Sequence, residues 1–102
     1  MTQPLKKQRK KDGQESVERV FVINNKLGLH ARPAAVFVQT ANRFNALVEV
    51  QKEDLKIDGK SIMGIMTLAA EKGSSITVRV TGKDAIATME ALAKLIESDF
   101  GE

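Results

Sequence analysis

The chain contains a single histidine, His30, set in Lys26-Leu27-Gly28-Leu29-His30-Ala31-Arg32-Pro33-Ala34-Ala35. A lone histidine is by default a packed or surface residue with no role beyond its contacts. Three neighbours argue against that here. Proline is tolerated in a helix only in the first turn, where backbone N–H groups have no partner. Pro33 therefore predicts a helix beginning near Ala31, with His30 at its cap. The free N–H groups of Ala31 and Arg32 then point toward the imidazole and, with the helix dipole, offer a site for an anion. Arg32 adds a planar fork matched to phosphate oxygens, and Gly28 lets the approaching loop take a turn closed to other residues.

The chemistry of such a cluster is nucleophilic attack on phosphorus. A neutral imidazole carries a lone pair near pH 7 and needs no general base. The sequence shows no carboxylate beside the histidine to complete a hydrolytic triad, and no Ser or Cys nucleophile paired with it. A site that holds phosphate but lacks a water-activating group is expected to carry the group rather than hydrolyse it. One histidine and no cysteine leave too few ligands for a zinc-type metal site, and no cofactor is expected.

The elements that must position these residues follow from periodicity. Val17–Asn24 is β-branched and aromatic, closed by Asn24-Asn25-Lys26 and Gly28, and reads as a strand. Ala46, Val48 and Val50 alternate with Leu47, Glu49 and Gln51 in a second strand; Leu55–Asp58 is a short third, closed by Gly59. Ile76, Val78 and Val80 alternate with Thr77, Arg79 and Thr81 in a fourth. One polar face per strand argues for an antiparallel sheet covered on one side. Helical stripes run through Ala34, Phe37, Val38 and Ala41 (about residues 31–42) and through Ala85, Ile86, Met89, Leu92, Ala93 and Ile96 (about 84–98). Asp84 lies in the first turn of the latter, where it suits the helix dipole. Ser61–Leu68 forms a short apolar helix with Ser61 as its N-cap, weakened by Gly64 at a cost of about 1 kcal/mol. The helical stripes must be buried against the one-sided sheet, so an open-faced two-layer α+β sandwich is expected.

At 102 residues, 42% apolar and 28% charged, the chain has the composition of one small soluble domain. The absence of cysteine excludes disulfides and thiolate chemistry and is compatible with a reducing, cytoplasmic setting. No apolar run is long enough to span a membrane, and the basic N-terminus leads into no secretory apolar segment. Residues 1–16 hold five basic residues against two acidic ones; the remaining 86 carry eleven of each. This extension has almost no large apolar side chains to offset its ordering entropy and is expected to be disordered, with the domain spanning 17–102. It could hold nucleic acid only weakly, having no aromatic residue to stack on bases, so a solvated extension is the preferred reading.

Gly28-Leu29-His30-Ala31-Arg32-Pro33-Ala34-Ala35, followed by Gly59-Lys60-Ser61-Ile62-Met63-Gly64-Ile65-Met66, closely resembles the HPr family of phosphocarriers, which serve the bacterial phosphoenolpyruvate-dependent phosphotransferase system. The resemblance covers about residues 17–102. It implies a four-stranded antiparallel sheet with three helices on one face, in the order β-α-β-β-α-β-α. His30 would be phosphorylated on Nδ1 by enzyme I and would donate to enzyme IIA domains, making the chain a monomeric carrier rather than an enzyme. Arg32 would neutralise the phosphate, Gly28 would shape the loop, and Ala31 and Arg32 would donate backbone hydrogen bonds. Leu29, Ile62, Met63 and Met66 would meet the partners. Ile65 and, at the margin, Met66 are expected inward, with Ile62 and Met63 partly exposed.

Ser61 suits a helix N-cap whatever else it does, and the resemblance adds a second role, as the target of a bifunctional HPr kinase/phosphorylase. The competing reading is a regulatory member of the family acting by complex formation. Asn25-Lys26-Leu27-Gly28 and Asp99-Phe100-Gly101-Glu102 resemble nitrogen-type members, and Leu27 stands where sugar-type members carry Asn.

Overall fold

A computed structural model of the chain describes Gln3, residues 5–9 and residues 15–102. In chain order the elements are β1 (Lys6–Arg9), β2 (Glu15–Val22), α1 (Ala31–Ala41), β3 (Leu47–Lys52), β4 (Leu55–Asp58), α2 (Ile62–Thr67), β5 (Ser75–Thr81) and α3 (Ala85–Glu97), ending in a 3-10 turn at Asp99–Gly101. Strands β2 to β5 are the anticipated four-stranded antiparallel sheet, and the three helices follow in the anticipated order. The first of these strands begins two residues earlier than its apolar pattern indicates. It ends at Val22, beyond which the chain turns toward the histidine.

The sheet order is β1-β2-β5-β3-β4, with every neighbouring pair antiparallel. Side chains alternate across a strand, and the register aligns Val17 with Val80 and Val80 with Val48, so apolar residues share one face. On that face Phe21, Val78 and Val50 are fully buried, against Phe37 of α1, Ile65 of α2 and Met89 and Leu92 of α3. The opposite face carries a row of charges in register, Glu18, Arg79 and Glu49. The Arg79 guanidinium donates to both carboxylates, its Nε lying 2.8 Å from Glu18. This row fixes which face meets solvent more than it stabilises, since partly exposed pairs contribute about 1 kcal/mol or less.

Two local features depart from the sequence reading. Lys6–Arg9, expected without order, pair with Glu15–Glu18 as an edge strand. The Gln3 N–H also donates to the Val20 carbonyl at 3.0 Å. A polar segment needs no core to do this, because the open edge of β2 offers unpaired backbone groups. The rest of the predicted disordered segment lies outside the described residues, apart from Leu5, Glu15 and Ser16. Gly64, costly inside a helix, sits where a Cβ would come within 3.3 Å of the Asp58 carbonyl and of Ile57. The missing side chain lets α2 lie close on β4.

Gly59 makes a tighter version of the same contact. Its N–H donates to the Val48 carbonyl at 2.7 Å, and a Cβ would stand 2.4 Å from Val48 Cγ1. Gly59→Ala is expected to lower the unfolding free energy by about 1–3 kcal/mol through overpacking. In a double-mutant cycle by urea denaturation, Val48→Ala should recover part of that loss; strictly additive costs would show that the two do not meet.

Candidate functional site

The segment between β2 and α1 is held by the one between α2 and β5. Ile23 N–H donates to Ser74 O at 2.9 Å, Gly73 N–H to Ile23 O at 2.7 Å, and Leu29 N–H to Ala70 O at 2.8 Å. Gly28 closes a turn through its N–H to Asn25 O at 3.0 Å. It has φ +68°, and a Cβ there would stand 2.3 Å from Ala70 O, the oxygen that binds Leu29. Both the backbone angle and the close approach therefore demand glycine.

His30 follows as the N-cap of α1, with extended backbone (φ −79°, ψ −171°). The first helical hydrogen bond runs from Ala34 N–H to the His30 carbonyl at 3.0 Å. Pro33 is buried in the first turn, as its missing N–H permits. The N–H groups of Ala31 and Arg32 precede the first helical bond, so the helix leaves them open for an anion. The Arg32 side chain is exposed and enters no ion pair among the described residues.

The imidazole makes no capping bond. It is 34% exposed and turns its Nε2 toward the Glu102 carboxylate, 3.0 Å from Oε2 and 3.3 Å from Oε1. A carboxylate only accepts, so this contact favours a hydrogen on Nε2, and in the neutral ring Nδ1 then keeps its lone pair. The expectation that no carboxylate stands near the histidine is thus corrected. The reason is chain reversal: Asp99, Phe100 and Gly101 all take positive φ (54°, 58° and 75°), turning the chain back after α3. Phe100 is buried in the core and anchors that turn.

Asn25 joins the two halves of the site. Its buried Nδ2 donates to Gly28 O at 2.6 Å and to Glu102 Oε1 at 3.1 Å. Reversing the amide would set its oxygen against two acceptors, so the orientation is fixed. The Asn25 hydrogen bond, together with His30 and the charge of Arg32, holds the Glu102 carboxyl below the usual glutamate range, against a smaller opposing effect of lost solvent. His30 opens onto a shallow depression that Asn25, Lys26, Leu27, Lys72 and Glu102 also line. Among the described residues, no group of three or more His, Asp or Glu side chains is placed to hold a metal ion.

The second motif lies on α2, which packs beside α1. Ser61 Oγ accepts the Gly64 N–H at 3.0 Å, the predicted N-cap. Ile65 is buried, while Ile62, Met63 (72% exposed) and Met66 face solvent. Met66 therefore does not turn inward, since in a six-residue helix only the Ile65 position meets the core. Leu29, expected on the partner surface, is instead a core residue, only 5% exposed. The hydrogen bond of its own N–H to Ala70 draws it under the loop.

Residues 17–98 match the family model described as "PTS HPr component phosphorylation site". The chain belongs to the HPr phosphocarrier family. The phosphocarrier protein HPr of Neisseria meningitidis serogroup A is 51% identical over 80 residues, 78% of this chain and 90% of that protein. The HPr-like protein Crh of Halalkalibacterium halodurans is 47% identical over 83 residues, 81% of this chain and 99% of that protein. A crystal structure of HPr from Thermoanaerobacter tengcongensis superposes with a TM-score of 0.81 at 48% identity, covering 83% of this chain and 96% of that one. HPr-type architecture and the general phosphocarrier role of the phosphotransferase system follow.

Sequence reasoning missed Asn25, Lys72 and Glu102. The three-residue spacing from Asn25 to Gly28 is a legible turn signal; nothing local marks Glu102. Its contacts yield a titration test. A carboxyl depressed on folding contributes stability above its unfolded value and loses it as pH falls through the folded one. The Glu102 contacts should therefore persist until pH drops below the usual glutamate range. By carboxyl 13C NMR the midpoint should lie below that of glutamate in an unstructured peptide, and Asn25→Ala should raise it; a midpoint at the peptide value would contradict the contact.

Proposed function

We propose that this protein carries a phosphoryl group on His30, accepting it from phosphorylated enzyme I and donating it to enzyme IIA domains in the cytoplasm. The observation that carries this reading is the half-buried imidazole at the start of α1, with the Ala31 and Arg32 N–H groups and the Arg32 guanidinium open beside it. Nδ1 attacks phosphorus directly. Backbone N–H groups and Arg32 receive the charged oxygens, and preorganised donors of this kind favour the transfer. No general base is required, because the attacking nitrogen already carries its lone pair. The Glu102 carboxylate is engaged with Nε2 and Asn25, which opposes its recruitment to activate water. Incubation with phosphoenolpyruvate and enzyme I should give one acid-labile phosphoryl group per chain, absent in His30→Ala. Equal labelling of that variant would reject the assignment.

A regulatory reading is supported by Ser61 and its surroundings. The hydroxyl caps α2 directly before the exposed Ile62, Met63 and Met66, a surface suited to enzyme I and enzyme IIA. Phosphorylation by an HPr kinase/phosphorylase would put a dianion beside this patch. The similarity to Crh of Bacillus subtilis, a protein of catabolite repression, favours such control. Desolvating the charge on docking costs about 2–3 kcal/mol, roughly a hundredfold in affinity. Ser61→Asp should accordingly weaken transfer from enzyme I with the fold intact. Ser61→Ala should cost only the cap, about 1 kcal/mol of stability, and unchanged transfer kinetics in Ser61→Asp would dismiss the switch.

A further inference from the structure

We infer that Glu102 is a positioning residue for phosphoryl transfer: by accepting the Nε2 hydrogen of His30 it holds the ring with Nδ1 bare and compensates the charge the ring acquires. This deepens the carrier reading and rests on it.

Three observations place it there. Both carboxylate oxygens lie within 3.3 Å of Nε2. The buried Asn25 amide grips the same carboxylate and ties it to the Gly28 carbonyl, so Glu102 and the histidine loop are braced as one unit. The chain reaches this position through three successive left-handed residues, two of them not glycine. Residues with a Cβ seldom adopt that conformation, and the buried Phe100 side chain holds the turn in place. A segment free of such constraint would continue away from α3.

The transfer balances without moving a proton. The Nδ1 lone pair forms the N–P bond, and the bond from phosphorus to the donor breaks with its electron pair staying on the donor. The ring, previously neutral, becomes cationic and keeps its hydrogen on Nε2, 3.0 Å from Glu102 Oε2. When the group moves on, the N–P pair returns to Nδ1 and the ring is neutral again. The carboxylate thus favours the charged intermediate over the neutral ring, as a fixed counter-charge beside an imidazolium does.

The test uses the full chain and Glu102→Gln, which keeps size and removes charge. Imidazole 15N NMR above neutral pH should show Nε2 protonated in the wild type and a shift toward the other tautomer in the variant. Phosphorylation by enzyme I and phosphoenolpyruvate should slow about three- to tenfold, in the range of one charge-assisted hydrogen bond, with the native far-UV circular dichroism retained. Unaltered tautomer and rate would overturn the inference while leaving the carrier reading intact, provided His30→Ala still abolishes the label. A tautomer shift without a change in rate would equally overturn the role in transfer. A wild-type protein that takes no label, with the tautomer shift still seen in Glu102→Gln, would overturn the carrier reading instead.

Discussion

The approach of Gly28 and Leu29 to the Ala70 carbonyl governs the site. One oxygen accepts the Leu29 N–H at 2.8 Å and fills the volume that a side chain on Gly28 would need. Two residues later the chain must start α1, because Pro33 cannot lie deeper in a helix. His30 is caught between a fixed loop and a fixed helix start. Its position is therefore set by backbone geometry, and only the orientation of its ring is left to a side-chain contact.

The sheet and helices hold that arrangement rigid. Loop and Ala70 segment are the far ends of β2 and β5, which pair along seven residues, so movement of one relative to the other would break a central ladder. Leu29 and Ala70 are themselves core residues, which ties the loop into the same apolar cluster as Phe21 and Phe37. The charges on the opposite face leave that surface wetted, and the helical side becomes the one where groups assemble. A phosphocarrier gains from this: the imidazole stays presented on a frame that need not rearrange.

Much of this was legible from the amino acids. The alternation through Ile76–Thr81, the helical stripe from Ala34 to Ala41, the first-turn Pro33 and the capping Ser61 each reflect a local rule, and each element appears where that rule puts it. What escaped were effects with no local cause. Leu29 looks like a loop-tip residue until a distant carbonyl pulls its backbone inward. Met66 follows an apolar run, but α2, six residues long, buries only Ile65. β1 forms through pairing of backbone groups, to which side-chain polarity is nearly blind. Glu102 meets His30 across 72 residues by way of left-handed residues at Asp99 and Phe100, types that do not advertise that conformation as glycine does.

The added strand β1 also changes the character of the sheet's outer margin. Without it, β2 would present its own row of donors and acceptors to any extended chain nearby. With it, the margin is a short segment of mostly basic sequence, Lys6-Lys7-Gln8-Arg9. Positive charge of this kind is a common guard against runaway strand addition. The segment Lys6–Arg9 thus covers the β2 edge, at the far border of the sheet from β4.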